Sequence, residues 1–239
     1  MLDRPSSLND APIFARPDLH RFIAQQFRDF IGNPLFPCTL ARGAMAQERV
    51  SVSVYDDLAN PETAGVLLDD LRAFVADHPI ADAGFDTLVA VFGAPALTDE
   101  VQFERLLWSL LQRLHDMDAA AHPWDPTVGD NPASDHFSFS LGGRAFFVVG
   151  MHPGASRHAR RFAYPAIAFN AHAQFETLRT RGAYGTVRDR IRSNDVALQG
   201  SINPALSDHG DGSEASQYSG RDVGEDWECP FRSTGSRDA

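Results

Sequence analysis

Apolar and polar positions alternate from Phe137 to Leu141, and an unbroken apolar run, Ala145-Phe146-Phe147-Val148-Val149, begins four residues later. Gly142-Gly143 between them tolerates the positive φ angles of a tight turn, so the spacing predicts a hairpin with strands Phe137 to Leu141 and Arg144 to Gly150. Continuous apolarity in the second strand predicts burial on both faces, central in a sheet. Upstream, Leu19, Phe22, Ile23, Phe27 and Phe30 follow helical periodicity between Pro17 and Gly32. A short helix is expected over Leu40 to Ala46, a half-exposed strand over Val50 to Tyr55, a helix over Pro61 to Ala76, and an apolar strand over Thr87 to Phe92. Thr98 to Met117 reads as a long amphipathic helix capped by Thr98, with Val101, Phe103, Leu106, Leu107, Leu110, Leu111 and Leu114 as its inner stripe. Ala166 to Phe169 is a further apolar strand, followed by amphipathic segments at Gln174 to Arg181 and Thr186 to Asp195.

This interleaving predicts an α+β (or α/β) single domain, a mixed β-sheet flanked by helices, since the hairpin argues against a purely parallel sheet. Residues 1–16 read as a loose N-terminal arm, 17–231 as one domain, and 232–239 as a frayed tail. The C-terminal part of the domain, from Ala197, is long and irregular. Leu198, Ile202, Leu206, Tyr218, Trp227 and Phe231 favour an ordered loop over the body rather than a disordered tail.

The formal net charge is −11 and every one of the 21 basic residues is arginine. That balance argues against non-specific nucleic-acid binding, which needs clustered positive charge. Met1 to Asn9 lacks the apolar core of a signal peptide, and no apolar run approaches the roughly 20 residues that span a bilayer. A soluble, cytoplasmic protein without a membrane partner is expected, its two cysteines, Cys38 and Cys229, kept as thiols. A homodimer is compatible with the sequence.

Candidate chemistry is concentrated at a few places. Phe36-Pro37-Cys38 holds a cysteine at a fixed angle in apolar surroundings, as a metal-bound thiolate requires, although a lone cysteine also serves as a small buried hydrophobe. Arg157, Arg160 and Arg161 share one face if the segment is helical, forming either a clamp for carboxylates or phosphate or a solvated surface. Asn170 and His172 follow the strand at Ala166, close in sequence to that cluster. Templates for zinc hydrolases, nucleophile elbows, P-loops and dinucleotide sites are all missing from the sequence.

Several long motifs together resemble the YqcI/YcgG-like proteins: NPLFPCTLARGA, FSFSLGGRAFFVVGMHPGASRHARRF, AFNAHAQFETLR, ALQGSINPALSDHGDGSEASQYSGR and WECPF, spanning roughly residues 20–231. The resemblance implies a haem-dependent monooxygenase, an oxidoreductase of natural-product biosynthesis that N-hydroxylates a guanidino group of arginine or an arginine-derived small molecule. It implies haem b (iron), O2 and an electron-donor protein of the ferredoxin type or similar. Carried over, Phe36-Pro37-Cys38, Ser156 through Arg161 and Phe169 through His172 match the family's elements. Cofactor contacts are accordingly expected from Cys38, Arg157, Arg160, Arg161, Asn170 and His172. Cleaving O–O at iron favours a thiolate, so Cys38 is the expected axial ligand, with His172 as the alternative. Glu214, Asn203 and Tyr218 are expected to act on the substrate from a lid that also holds Gln217 and Arg221, Glu214 pairing with the guanidinium. The competing expectation is a non-catalytic haem-binding or haem-sensing protein using Cys229-Pro230.

Overall fold

The computed structural model describes residues 16–79, 85–97, 99–202, 212–224 and 226–234. The chain runs α1 (Arg16–Gly32), α2 (Thr39–Ala46), β1 (Val50–Asp57), α3 (Pro61–Asp77), β2 (Thr87–Ala94) and α4 (Glu100–Asp118). It continues with β3 (Phe139–Leu141), β4 (Arg144–Met151), a 3-10 turn (His158–Arg160), β5 (Ala166–Ala171), α5 (Ala173–Thr180), α6 (Tyr184–Gln199) and α7 (Ala215–Tyr218). The strands form one mixed sheet in the order β1-β2-β5-β4-β3. β1 and β2 are parallel, as their α3 crossover requires, and every other pairing is antiparallel.

The hairpin turns at Gly142 and Gly143, with φ of 61° and 72°, values that glycine adopts without steric cost. β3 is shorter than the alternation predicts because only Phe139 to Leu141 pair with β4. The remainder of β4 therefore has β5 on one side only, and α7 packs against it. Side chains alternate across the sheet. Ala90, Phe92, Phe146, Val148 and Phe169 join the core with α3 and α4, whereas Val89, Val91, Met151, Ala166 and Ala168 join Ile23, Phe27 and Ile31 of α1.

Helix α4 is capped by Asp99, whose carboxylate accepts from Val101 N at 2.7 Å and Gln102 N at 3.3 Å. Thr98, the expected cap, lies outside the described residues. Val101 is exposed, so the inner stripe consists of Phe103, Leu107, Leu110, Leu111 and Leu114. The C-terminal segment is tied down beyond the expected boundary at 231. Phe231 is buried near Trp108, Trp124 and His115, and Thr234 N donates to His115 Nε2 at 3.0 Å. The first fifteen residues of the expected arm and residues 235–239 lie outside the described part. Among the described residues, no helix is long and apolar enough to cross a membrane.

One buried histidine gives the fold a pH signature. His152, at the end of β4, stacks on Phe103 with ring centroids 4.5 Å apart. Burial pulls its imidazole down to about 4 from an ordinary 6.5, with Glu100 and Asp99 opposing and Arg160 assisting. The unfolded chain takes up this proton as pH falls through about 6.5, and the folded chain only near 4. The contribution is therefore complete above pH 6.5 and lost between those values, by at most about 3 kcal/mol. Burial lowers the imidazole of buried His115 as well, so it acts in the same direction. At Glu104, Asp118 and Asp125 the upward push of burial is outweighed by hydrogen bonds, which hold these carboxylates below their ordinary values. Urea denaturation should accordingly show wild-type stability falling from pH 7 to pH 5 more steeply than that of His152→Phe; equal slopes would reject the assignment.

Candidate functional site

A cavity of about 260 Å³ opens on the α1 side of the sheet, where α1, α2 and α6 stand around the strands without closing over them. Its floor is Val89, Phe147, Val149, Met151 and Ala168, the odd positions of β2 and β4 and the even positions of β5. Phe27 and Ile31 of α1, Ala41 and Ala44 of α2, and Ile191 of α6 complete the apolar walls. Small polar groups lie toward one end of the strands. Thr87 Oγ1 donates to Asn170 Oδ1 at 3.0 Å, and Asn170 Nδ2 donates to the Phe147 carbonyl at 3.1 Å. Near them, Gln174 Nε2 donates to the Asp86 carbonyl. Charged groups lie elsewhere on the wall: Arg157, Arg160 and Asp195.

Cys38 faces this cavity. Pro37 holds the preceding segment extended, and Cys38 itself, at φ −78° and ψ 102°, is the N-cap of α2. Its Sγ accepts from Ala41 N at 3.5 Å. Burial pushes the thiol up from its ordinary value, against a lowering by the amides of Ala41 and Leu40 and by the Arg160 charge. With no other ligand the sulfur rests as a thiol; a cation placed against it meets amides already directed at the thiolate.

The three arginines do not form one claw. The segment makes only a 3-10 turn, and the guanidinium groups diverge to separate partners. Arg157 pairs with Asp195 and donates to Ser201 Oγ at 2.8 Å and to the Ser201 carbonyl at 2.8 Å. Arg160 clamps the carbonyls of Gly150, Gln217 and Tyr218 at 2.9, 3.2 and 3.4 Å, which ties β4 to α7. Burial draws it down to about 10, with Asp195 and Cys38 opposing, so it stays charged at neutral pH. Arg161 donates to the carbonyls of Ala155 and Ser156 and does not line the cavity.

The remaining expected site residues form a second group. His172 Nε2 lies 3.4 Å from Glu214 Oε1, both buried. Tyr218 Oη accepts from Phe139 N at 3.0 Å and lies 3.4 Å from Glu214 Oε2. Burial first, then the Glu214 carboxylate, keeps that phenol protonated. None of the three lines the cavity. Arg221 is engaged with Glu104, at 2.7 Å from Nε, and Gln217 is buried beside Tyr218. Asn203 lies outside the described residues. Sequence reasoning missed Asp195, although a signal existed: Val187, Ile191 and Asp195 are spaced as one helical stripe, and a carboxylate continuing an apolar stripe marks a buried charge. Cys229 belongs to the core on the α4 side, its thiol pushed by burial to about 12, and both cysteines are free.

The model of the YqcI/YcgG family matches residues 27–232, which takes in all five strands, the cavity and the buried polar group. The chain belongs to the YqcI/YcgG family. No curated protein and no solved structure matches it.

Proposed function

We propose that this YqcI/YcgG protein is a haem-dependent monooxygenase that N-hydroxylates a guanidino group of arginine or an arginine-derived small molecule, using O2 and electrons from a ferredoxin-type or similar donor. The observation that carries the proposal is Cys38: a sulfur on the wall of an apolar cavity, at a helix N-terminus, with backbone amides and the Arg160 charge directed at it. That donor set fits haem iron. Cys38 would hold the metal, and Arg157, on the same wall, would meet a propionate. Bound haem supplies the oxygen activation that an unactivated N–H demands, and a thiolate ligand favours O–O cleavage.

The chain's own contribution is placement and exclusion of water. Phe147, Val149, Phe27 and Ile31 keep the cavity apolar, which strengthens every polar contact made inside it. Among the described residues the carboxylate facing that space is Asp195, so we assign it, instead of Glu214, the cationic end of a guanidino substrate. Free thiols accord with a cytoplasmic setting. For the sensing alternative, Cys229 offers no support, being buried in the core.

Protein purified after expression with a haem supply should show a Soret band and convert arginine or a related guanidino compound in a reaction dependent on both O2 and reductant. A protein that remains colourless when hemin is added would sink the haem reading; a coloured protein that never turns over any guanidino compound would leave the sensing alternative in its place.

A further inference from the structure

We infer that Arg157 forms a carboxylate subsite in the cavity and that Asp195 occupies this subsite from within the fold, as a stand-in for a ligand carboxylate. Arg157 is 6% exposed and Asp195 4%, and both line a space whose walls are otherwise largely apolar. Arg157 has partners for its two terminal nitrogens, yet its Nε has none among the described residues. A buried donor left unmade is costly, and one on a residue that lines a cavity marks a place where an acceptor belongs. Guanidinium presents its Nε and a terminal nitrogen as a fork matched to a carboxylate, and here half the fork is open.

The partner on the other half stands on a helix with little apolar burial. Asp195 is the buried residue of α6, a 16-residue helix whose remaining side chains are half-buried or exposed. Around it the helix is fastened by polar contacts: Asn194 Nδ2 to the Pro37 carbonyl at 3.0 Å, and Gln199 to His158 N at 2.7 Å and to the Ser156 carbonyl at 3.0 Å. Such contacts exchange with water more readily than apolar packing does. An incoming carboxylate can therefore take the open Nε and displace Asp195 without dismantling a core. The ligand is an acid with an apolar body, matched to the walls. Its carboxylate has two sources, a porphyrin propionate or a free organic acid. The inference stands independently of the haem assignment, because it concerns only the pair and the apolar space.

Calorimetric titration of the full chain with octanoate and with 1-octanol tests it. Octanoate should bind at least about tenfold more tightly than the alcohol, since charge-assisted hydrogen bonds are involved. Asp195→Asn, which removes the internal competitor, should tighten octanoate binding severalfold. The charge-neutral double variant Arg157→Gln/Asp195→Asn, which leaves no unpaired buried charge, should bind acid and alcohol alike. Retention of hemin and of its dimethyl ester, which lacks free carboxylates, separates the sources. A double variant that loses hemin but keeps the ester assigns the subsite to a propionate. One that keeps hemin while losing the octanoate preference assigns it to a free acid. Octanol binding as tightly as octanoate in the wild type overturns the inference, as does Asp195→Asn leaving octanoate affinity unchanged or weaker. A failed Soret test would leave these titrations unaffected.

Discussion

Gly150→Ala is expected to destabilise the fold by about 1–3 kcal/mol, a loss of roughly 2–4 °C in Tm for each kcal/mol at this chain length. Gly150 lies in β4, where it pairs with Ile167, and its missing side chain is what lets α4 sit down on the sheet. A Cβ there would fall 2.5 Å from Phe103 Cε1, 2.8 Å from Phe103 Cζ and 2.9 Å from Leu107 Cδ1. Phe103 cannot swing aside freely: it is fully buried and stacked on His152. The penalty is overpacking, so a smaller neighbour should relieve it, and Phe103→Leu in the Gly150→Ala background should recover part of the loss. Gly65 is the control. It lies in α3, where a methyl group added to its Cα would meet nothing within 4 Å, so Gly65→Ala should be neutral or stabilise by up to about 1 kcal/mol through helix propensity. Thermal melts of the four proteins check the set; a Gly150→Ala variant as stable as wild type would show that the helix–sheet approach is not set by this residue.

Much of this architecture could be read from local pattern because local pattern caused it. The Gly142-Gly143 turn and the alternation around it gave the hairpin, and α4 announced itself through Phe103, Leu107, Leu110, Leu111 and Leu114. The site was less legible. Helical spacing grouped Arg157, Arg160 and Arg161, but the choice of a 3-10 turn depends on acceptors far away in sequence: Asp195 and Ser201 for Arg157, and the carbonyls of Gln217 and Tyr218 for Arg160. Glu214 looked like a residue of a polar lid because its segment is rich in glycine and serine. What buries it is a contact with His172, far earlier in the chain, together with Tyr218 one turn on. Periodicity tells which face of an element is apolar. It does not tell where two apolar faces stop short of meeting, and the cavity is such a place, bounded by residues from Phe27 to Asp195.

The haem-loaded protein, reduced and exposed to CO, is expected to show the long-wavelength absorption of thiolate ligation. Cys38→Ser should abolish it. The geometry separates the two residues that the sequence left in competition: Cys38 lines the cavity, whereas His172 is buried against Glu214 outside it and would need the polar group around Tyr218 to open before reaching a ligand there. Electrostatics point the same way. Burial alone raises the Cys38 thiol, but the amides of Ala41 and Leu40 and the Arg160 charge oppose it, so a bound iron has only the remaining desolvation to overcome in drawing off the proton. Serine in that position keeps the helix cap, because its hydroxyl accepts from the same amides, and the variant should fold while losing the ligand field. Cys229→Ser and His172→Ala should retain the wild-type spectrum, the latter at some cost in stability because it leaves the buried Glu214 carboxylate without its imidazole partner. A wild-type CO spectrum of the histidine-ligated kind, lost in His172→Ala and intact in Cys38→Ser, would move the iron to the other group and leave Cys38 as the cap of α2.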